Sequence, residues 1–137
     1  MTPQQFFDKY NGKFVDYDKA YGYQCMDIVR QFMKEVLGYQ PYDAIPPVTY
    51  AKYAFVKYNP KYFSQIKNGK TNFPKNGDIV IWGTYPFVTG IAGHIAICSR
   101  ADVNSMITFD QNYPTRSFCK FVHHNYRGVL GWLRAIK

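Results

Sequence analysis

The sequence predicts an α+β domain, with N-terminal helices packed on a C-terminal antiparallel β-sheet. Three observations carry that expectation. Apolar residues recur at three- and four-residue intervals as far as Gly38, the period of a helix with one buried face. From Ile79 onward, short apolar runs alternate with Gly-, Pro- and Asn-containing turns, the pattern of strands. The total of 137 residues suits one domain, residues 1–137, and 47% hydrophobic content is ample for its core.

Thr2-Pro3-Gln4-Gln5 reads as a helix start, with Thr2 as N-cap, Pro3 in the first turn and Gln5 closing a capping box. This helix turns Phe6, Phe7 and Tyr10 inward and stops at Asn11-Gly12. The second helix carries Cys25, Ile28, Val29, Phe32, Met33 and Val36 on one stripe and ends before Gly38. Residues 39–48 contain three prolines and read as a loop, and 49–58 as a short third helix stopped by Asn59-Pro60. Ile79–Trp82 is a short apolar strand. Residues 83–93 are a loop opening onto a strand at His94–Cys98, and a polar turn at 100–104 leads into strands at 105–111, 118–123 and 129–136.

Three polar groups stand at the edges of these elements. Cys25 begins the second helix, where unpaired N–H groups and the positive end of the helix dipole both favour a thiolate. His94 heads one strand. Sixteen residues on, Asp110 ends the next, so two antiparallel strands and their turn would set the pair side by side. A thiol nucleophile, an imidazole that takes its proton and a carboxylate or amide that fixes the imidazole tautomer are what nucleophilic acyl transfer needs. The order Cys, His, Asp/Asn is that of papain-like cysteine hydrolases. Each residue also has a plainer reading: Cys25 as core packing, His94 as a satisfied structural side chain, Asp110-Gln111-Asn112 as a turn before Tyr113-Pro114. Cys98 reads as a core residue, and Cys119 and the pair His123-His124 as structural.

Four segments taken together resemble the CHAP family, the cysteine/histidine-dependent amidohydrolase/peptidase domain of phage endolysins and bacterial autolysins. They are Tyr23–Val29, Pro74–Val80, Gly93–Ile97 and Phe109–Tyr113, in the family's order and spacing. The resemblance implies a papain-like (NlpC/P60-type) fold and cleavage of amide bonds in bacterial peptidoglycan, as an endopeptidase or an N-acetylmuramoyl-L-alanine amidase. It makes Cys25 the nucleophile and His94 the base. Asp110 stands where phage relatives commonly have Glu, so either Asp110 or Asn112 is expected to orient His94. The amide of Cys25, aided by Gln24, would hold the oxyanion. Trp82, Tyr85, Phe87 and Tyr113 are candidates to support a sugar-peptide strand, with Trp82, at the end of an apolar run, reading equally as core.

Asp16, Asp18, Ala20, Gly22 and Asp27 reproduce positions 1, 3, 5, 7 and 12 of an EF-hand-like loop. Tyr21 takes the place of the usual Gly, and Asp27 that of the long bidentate Glu. The family resemblance extends to this Asp-x-Asp pattern and implies a structural Ca2+. The plainer reading is solvated carboxylates with Asp27 favoured by the helix dipole.

A formal charge of +8, from 17 Lys and Arg against 9 Asp and Glu, favours anionic partners such as teichoic acids. The basic residues are scattered, with no arm or nucleic-acid signature, so specific nucleic-acid recognition is not expected. Three cysteines give no even disulfide framework. The N-terminus lacks signal-peptide regions, and no stretch is long enough to span a membrane. The expectation is synthesis in the cytoplasm and action on the cell wall after holin release or virion delivery; with no wall-binding domain visible in the sequence, the chain reads as an excised catalytic domain, a tail-associated lysin piece or a small enzyme relying on its charge. The competing class is a non-catalytic wall-binding or virion structural domain on the same fold.

Overall fold

The first helix forms as its cap predicts. In a computed structural model, which describes residues 1–20, 22, 24–85 and 89–136, α1 runs from Pro3 to Tyr10. Thr2 Oγ1 accepts the Gln5 N–H at 3.1 Å while Gln5 Oε1 accepts the Thr2 N–H at 2.8 Å, which satisfies two donors that a helix start otherwise leaves open. Its buried face sets the Phe6 ring edge-on to Phe32, centroids 5.2 Å apart, and Phe7 against Phe109 at 4.9 Å. Each buried ring of this kind contributes on the order of 2–3 kcal/mol.

Helix α2, Cys25–Glu35, buries Ile28, Val29, Phe32 and Met33. Gly38, at φ +70°, lets the Tyr39 N–H return to the Met33 carbonyl at 2.9 Å. That is the left-handed stop the glycine promised. Two expectations are corrected in the next stretch. Within the proline-rich segment, Pro41–Ala44 forms a single helical turn, α3, because the Gln40 side chain accepts the Tyr42 and Asp43 N–H groups. The helix expected over 49–58 is instead a 3₁₀ turn, Ala51–Tyr53, followed by α4, Ala54–Lys57.

Six strands follow: β1 Phe63–Lys67, β2 Ile79–Trp82, β3 His94–Ala101, β4 Met106–Asp110, β5 Lys120–His124 and β6 Val129–Ala135. They form one sheet in the order β1-β6-β2-β3-β4-β5, every pair antiparallel. Strand β1 escapes the sequence pattern. It is an edge strand with one fully buried side chain, Phe63, so it shows no clean alternation. The polar turn expected at 100–104 begins later, because β3 runs on to Ala101 across a register shift between Cys98 and Arg100.

The central strands are covered on both faces, which is why they read as continuous apolar runs. On one face Ile79, Ile81, Ile95, Ile97, Phe109 and Leu133 pack with the helices. On the other Val80, Trp82, Ala96, Cys98, Met106 and Trp132 form a second core. This second face curls inward. The Trp82 and His124 rings, on strands separated by β3 and β4, have centroids only 4.7 Å apart, whereas a flat sheet would hold those strands roughly 14 Å apart.

Asp78, just before β2, ties the sheet to its last strand. Its carboxylate accepts Arg134 Nη2 at 2.7 Å and Nε at 3.1 Å, and the Lys75 N–H at 2.8 Å. Asp78→Ala leaves these donors without their acceptor and should lower stability by about 1–3 kcal/mol in urea unfolding. An unchanged midpoint would show that the pair contributes nothing.

Candidate active site

Gly93 decides where the imidazole stands. Its φ is +73°, and a Cβ on it would meet the Trp82 carbonyl oxygen at 2.3 Å, so only glycine fits. That close approach starts β3 at His94, paired across the sheet with Trp82. On the other side of β3, β4 ends at Asp110. His94 Nε2 lies 2.7 Å from Asp110 Oδ2, which leaves Nδ1 to face the Cys25 sulfur, a neighbour close enough to bias the protonation of the ring. Cys25, His94 and Asp110 are thus brought together at one point of the fold.

The electrostatics follow from burial and partners. Desolvation alone would push Asp110 upward. Hydrogen bonds from His124 and His94, with the charges of both rings, hold it below the ordinary carboxylate value. For His94 desolvation disfavours the cation, but the hydrogen bond to Asp110, the neighbouring Cys25 sulfur and the charges of both outweigh it, raising the imidazole to about 9. The site is arranged to carry a protonated imidazole beside a sulfur.

Cys25 is half-buried at the first position of α2, where its N–H has no acceptor within the helix. Gln24 caps the helix from outside. Its N–H donates to Asp27 Oδ2 at 2.9 Å, and its carbonyl accepts the Gln111 side-chain amide at 2.8 Å. Gln111 is fully buried and uses every polar atom of its side chain. Nε2 also donates to the Val15 carbonyl at 2.8 Å, while Oε1 accepts the Val15 N–H at 2.7 Å and the Cys119 thiol at 3.3 Å. Cys119, given no partner by the sequence, is thereby held.

Beside Cys25 runs a groove of about 670 Å³, walled by Gln24, Arg30, Tyr42, Val48, Thr49 and Tyr50. Arg30 fixes that wall by donating to the Pro41 and Ile45 carbonyls at 3.3 and 2.8 Å, with the Tyr42 ring lying 4.3 Å from its guanidinium. Gln24 therefore lies where substrate would lie.

Several expected site residues fall elsewhere. Trp82 is 1% exposed and packs against the His94 and His124 rings, so it belongs to the core rather than to a substrate surface. Tyr113 is half-buried and stacks on His94 at 4.8 Å, covering the imidazole. Asn112 is not on the strand: β4 has ended, the residue adopts φ +62°, and its side-chain oxygen accepts the Arg116 N–H. Of the two candidates to orient His94, it is Asp110 that touches it. Tyr85 forms an isolated bridge with Gly90. Phe87 lies outside the described residues, as do Tyr21 and Tyr23.

The sequence reading missed two partners of Asp110. Thr108 donates its hydroxyl to Oδ1, and His124 Nε2 stands 3.0 Å from Oδ2. Thr108 was legible in principle, because it sits two residues from Asp110 on the same strand face. His124 was not, since the pairing of β4 with β5 sets it opposite Met106, four residues from Asp110, and the curl of the sheet brings its ring to this carboxylate.

Next to the groove, the carboxylates of Asp16, Asp18 and Asp27 offer oxygens within 4.8 Å of one another. Asp16 Oδ1 is buried without a hydrogen-bond partner among the described residues. Asp27 is raised to about 6, first by desolvation and then by the charges of Asp18 and Asp16. Such a cluster fits a hard divalent cation. Ala20 meets it through its N–H on Asp18 Oδ1 at 2.9 Å; Gly22 follows at φ +73° in the same loop.

The sequence profile of the CHAP domain matches residues 15–112, spanning Cys25, His94 and Asp110. The chain belongs to the CHAP family. It is 30% identical over 129 residues to the endolysin PlyTW of Staphylococcus phage Twort, covering 88% of this chain and 26% of that protein. It is 29% identical over 115 residues to the probable autolysin PH of Staphylococcus aureus, covering 80% of this chain and 22% of that one. The chain thus spans about a quarter of the length of these relatives. Among solved structures, the endolysin LysIME-EF1 superposes with a TM-score of 0.79 at 27% identity, over 96% of this chain and 62% of that one. Ly7917 superposes with a TM-score of 0.71 at 14% identity, over 98% of this chain and 61% of that one, a likeness of fold. The fold is α+β and papain-like.

The electrostatics of this CHAP site can be read directly. In NMR the His94 ring should titrate near 9, against roughly 6.5 for an ordinary histidine. Because the folded value lies above the unfolded one, the stability it contributes is full below about 6.5 and lost as pH rises through about 9. Cys25→Ala removes one of the raising partners and should lower the midpoint; a wild-type midpoint near 6.5 would mean that the ring is not so held.

Proposed function

We propose that this domain hydrolyses amide bonds of bacterial peptidoglycan by thiol catalysis, with Cys25 as nucleophile, His94 as general base and acid, and Asp110 as the group that orients His94. The observation that carries the reading is the His94 ring, hydrogen-bonded to Asp110 and neighbouring Cys25, beside an open groove that Cys25 lines. The endolysin and autolysin relatives supply the substrate class.

The steps follow from the geometry. His94 takes the Cys25 proton, and the sulfur attacks the amide carbonyl carbon. The C–O double bond opens to an oxyanion, which the Cys25 N–H at the start of α2 is placed to receive, with Gln24 beside it. The C–N bond breaks as His94 gives its proton to the leaving amine, leaving a thioacyl-enzyme. Water, deprotonated by His94, attacks the thioester, and the carboxylic acid departs as Cys25 recovers its proton. Asp110 keeps a hydrogen bond on Nε2 throughout, so Nδ1 remains the working nitrogen. Endopeptidase and N-acetylmuramoyl-L-alanine amidase cleavage draw on the same groups, and the masses of released fragments separate them. The charge of +8 would concentrate the protein on walls carrying anionic teichoic acids.

Asp16, Asp18 and Asp27 would hold a calcium ion, with the Ala20 and Gly22 carbonyls as candidate further ligands. The ion would neutralise three crowded carboxylates and brace the loop entering α2.

Loss of turbidity of purified Gram-positive walls tests the catalytic reading. Cys25→Ala and His94→Ala should fall by at least about a thousandfold, and lysis by Cys25→Ala equal to wild type would refute thiol chemistry. For the cation, calcium should raise the melting temperature of chelated protein, and Asp18→Asn should remove that rise. A melting temperature indifferent to calcium would remove the site.

A further inference from the structure

We infer that His124 is a positioning residue for this reaction, acting through the carboxylate it shares with His94. The inference rests on the proposed role of Asp110 and adds a second imidazole to it. Asp110 Oδ2 accepts from His94 Nε2 at 2.7 Å and from His124 Nε2 at 3.0 Å, while Oδ1 accepts from the Thr108 hydroxyl. Asp110 is completely buried, and His124 is 8% exposed.

A buried carboxylate with only one donor on Oδ2 could rotate about its Cα–Cβ and Cβ–Cγ bonds and take the His94 ring with it. With donors on both oxygens it cannot turn without breaking hydrogen bonds in a site closed to bulk solvent. Thr108 fixes Oδ1. His124 fixes the oxygen that His94 itself uses, and it approaches from another strand, so the two imidazoles bracket that oxygen. The carboxylate can only accept, so His124 must carry its proton on Nε2. Its ring is itself held between Trp82, at 4.7 Å, and Tyr113, at 4.9 Å. Tyr113 also lies on His94 at 4.8 Å, so one aromatic wall closes over both imidazoles.

Two roles are separable here: filling space between Trp82 and Tyr113, and donating to Asp110. His124→Phe keeps a ring of similar size and loses the donor. His124→Gln loses the ring and keeps an N–H near the position of Nε2. Positioning predicts that His124→Phe loses about ten- to hundredfold in kcat on purified walls with KM little changed. His124→Gln should stay within about threefold of wild type, even if its melting temperature is the lower of the two. A purely structural role predicts the reverse order.

The ring N–H signals of His94 in ¹⁵N-edited NMR supply a readout independent of turnover. His124→Phe should displace the His94 Nε2–H resonance, and His124→Gln should leave it near the wild-type position. Full kcat in His124→Phe, or an unmoved His94 signal there, overturns the inference. Inactive wild-type protein would count against the hydrolase reading alone, and the NMR comparison would then decide the role of His124 by itself.

Discussion

A carboxylate sealed from water is the constraint around which this site is built. An uncompensated buried charge costs several kcal/mol and would normally be neutralised by taking up a proton. Asp110 avoids that because His94, His124 and Thr108 all donate to it. The negative charge so retained raises His94, and the raised imidazole gives the sulfur a cationic neighbour. Burial is therefore what makes the charge effective. In water the same pair would be screened and worth little.

The positions of these groups come from backbone features rather than from their own chemistry. Gly93 permits the approach that starts β3 at His94, and the end of β4 delivers Asp110 alongside. The capped start of α2 brings Cys25 to the groove, and Arg30, one turn and a half farther along the helix, holds the opposite wall through the Pro41 and Ile45 carbonyls. Helix α2 thus carries Cys25 at its end and supports a wall of the groove from its middle.

Much of this was legible in the sequence, where a local rule decides the outcome. Thr2-Pro3-x-Gln5 and Gly38 marked the ends of α1 and α2, and the apolar runs from Ile79 and His94 marked the central strands. Cys25, His94 and Asp110 stood out because each lies at the edge of such an element. What stayed hidden depends on non-local packing. Strand β1 is defined by pairing with β6 rather than by its own pattern, and α3 by a Gln side chain acting as a cap. Trp82 ends an apolar run, and nothing in that run tells a cleft from a core; the curled sheet decides for the core. The same curl recruits His124.

Gln111 gives the arrangement a mechanical property. One short stretch of chain carries Asp110, which grips the His94 ring, and Gln111, which grips the Gln24 carbonyl immediately ahead of Cys25. Cys25 and His94 are thereby referenced to a common datum. The spacing between the start of α2 and the His94 ring is therefore set by two adjacent residues at the end of one interior strand, Asp110 and Gln111.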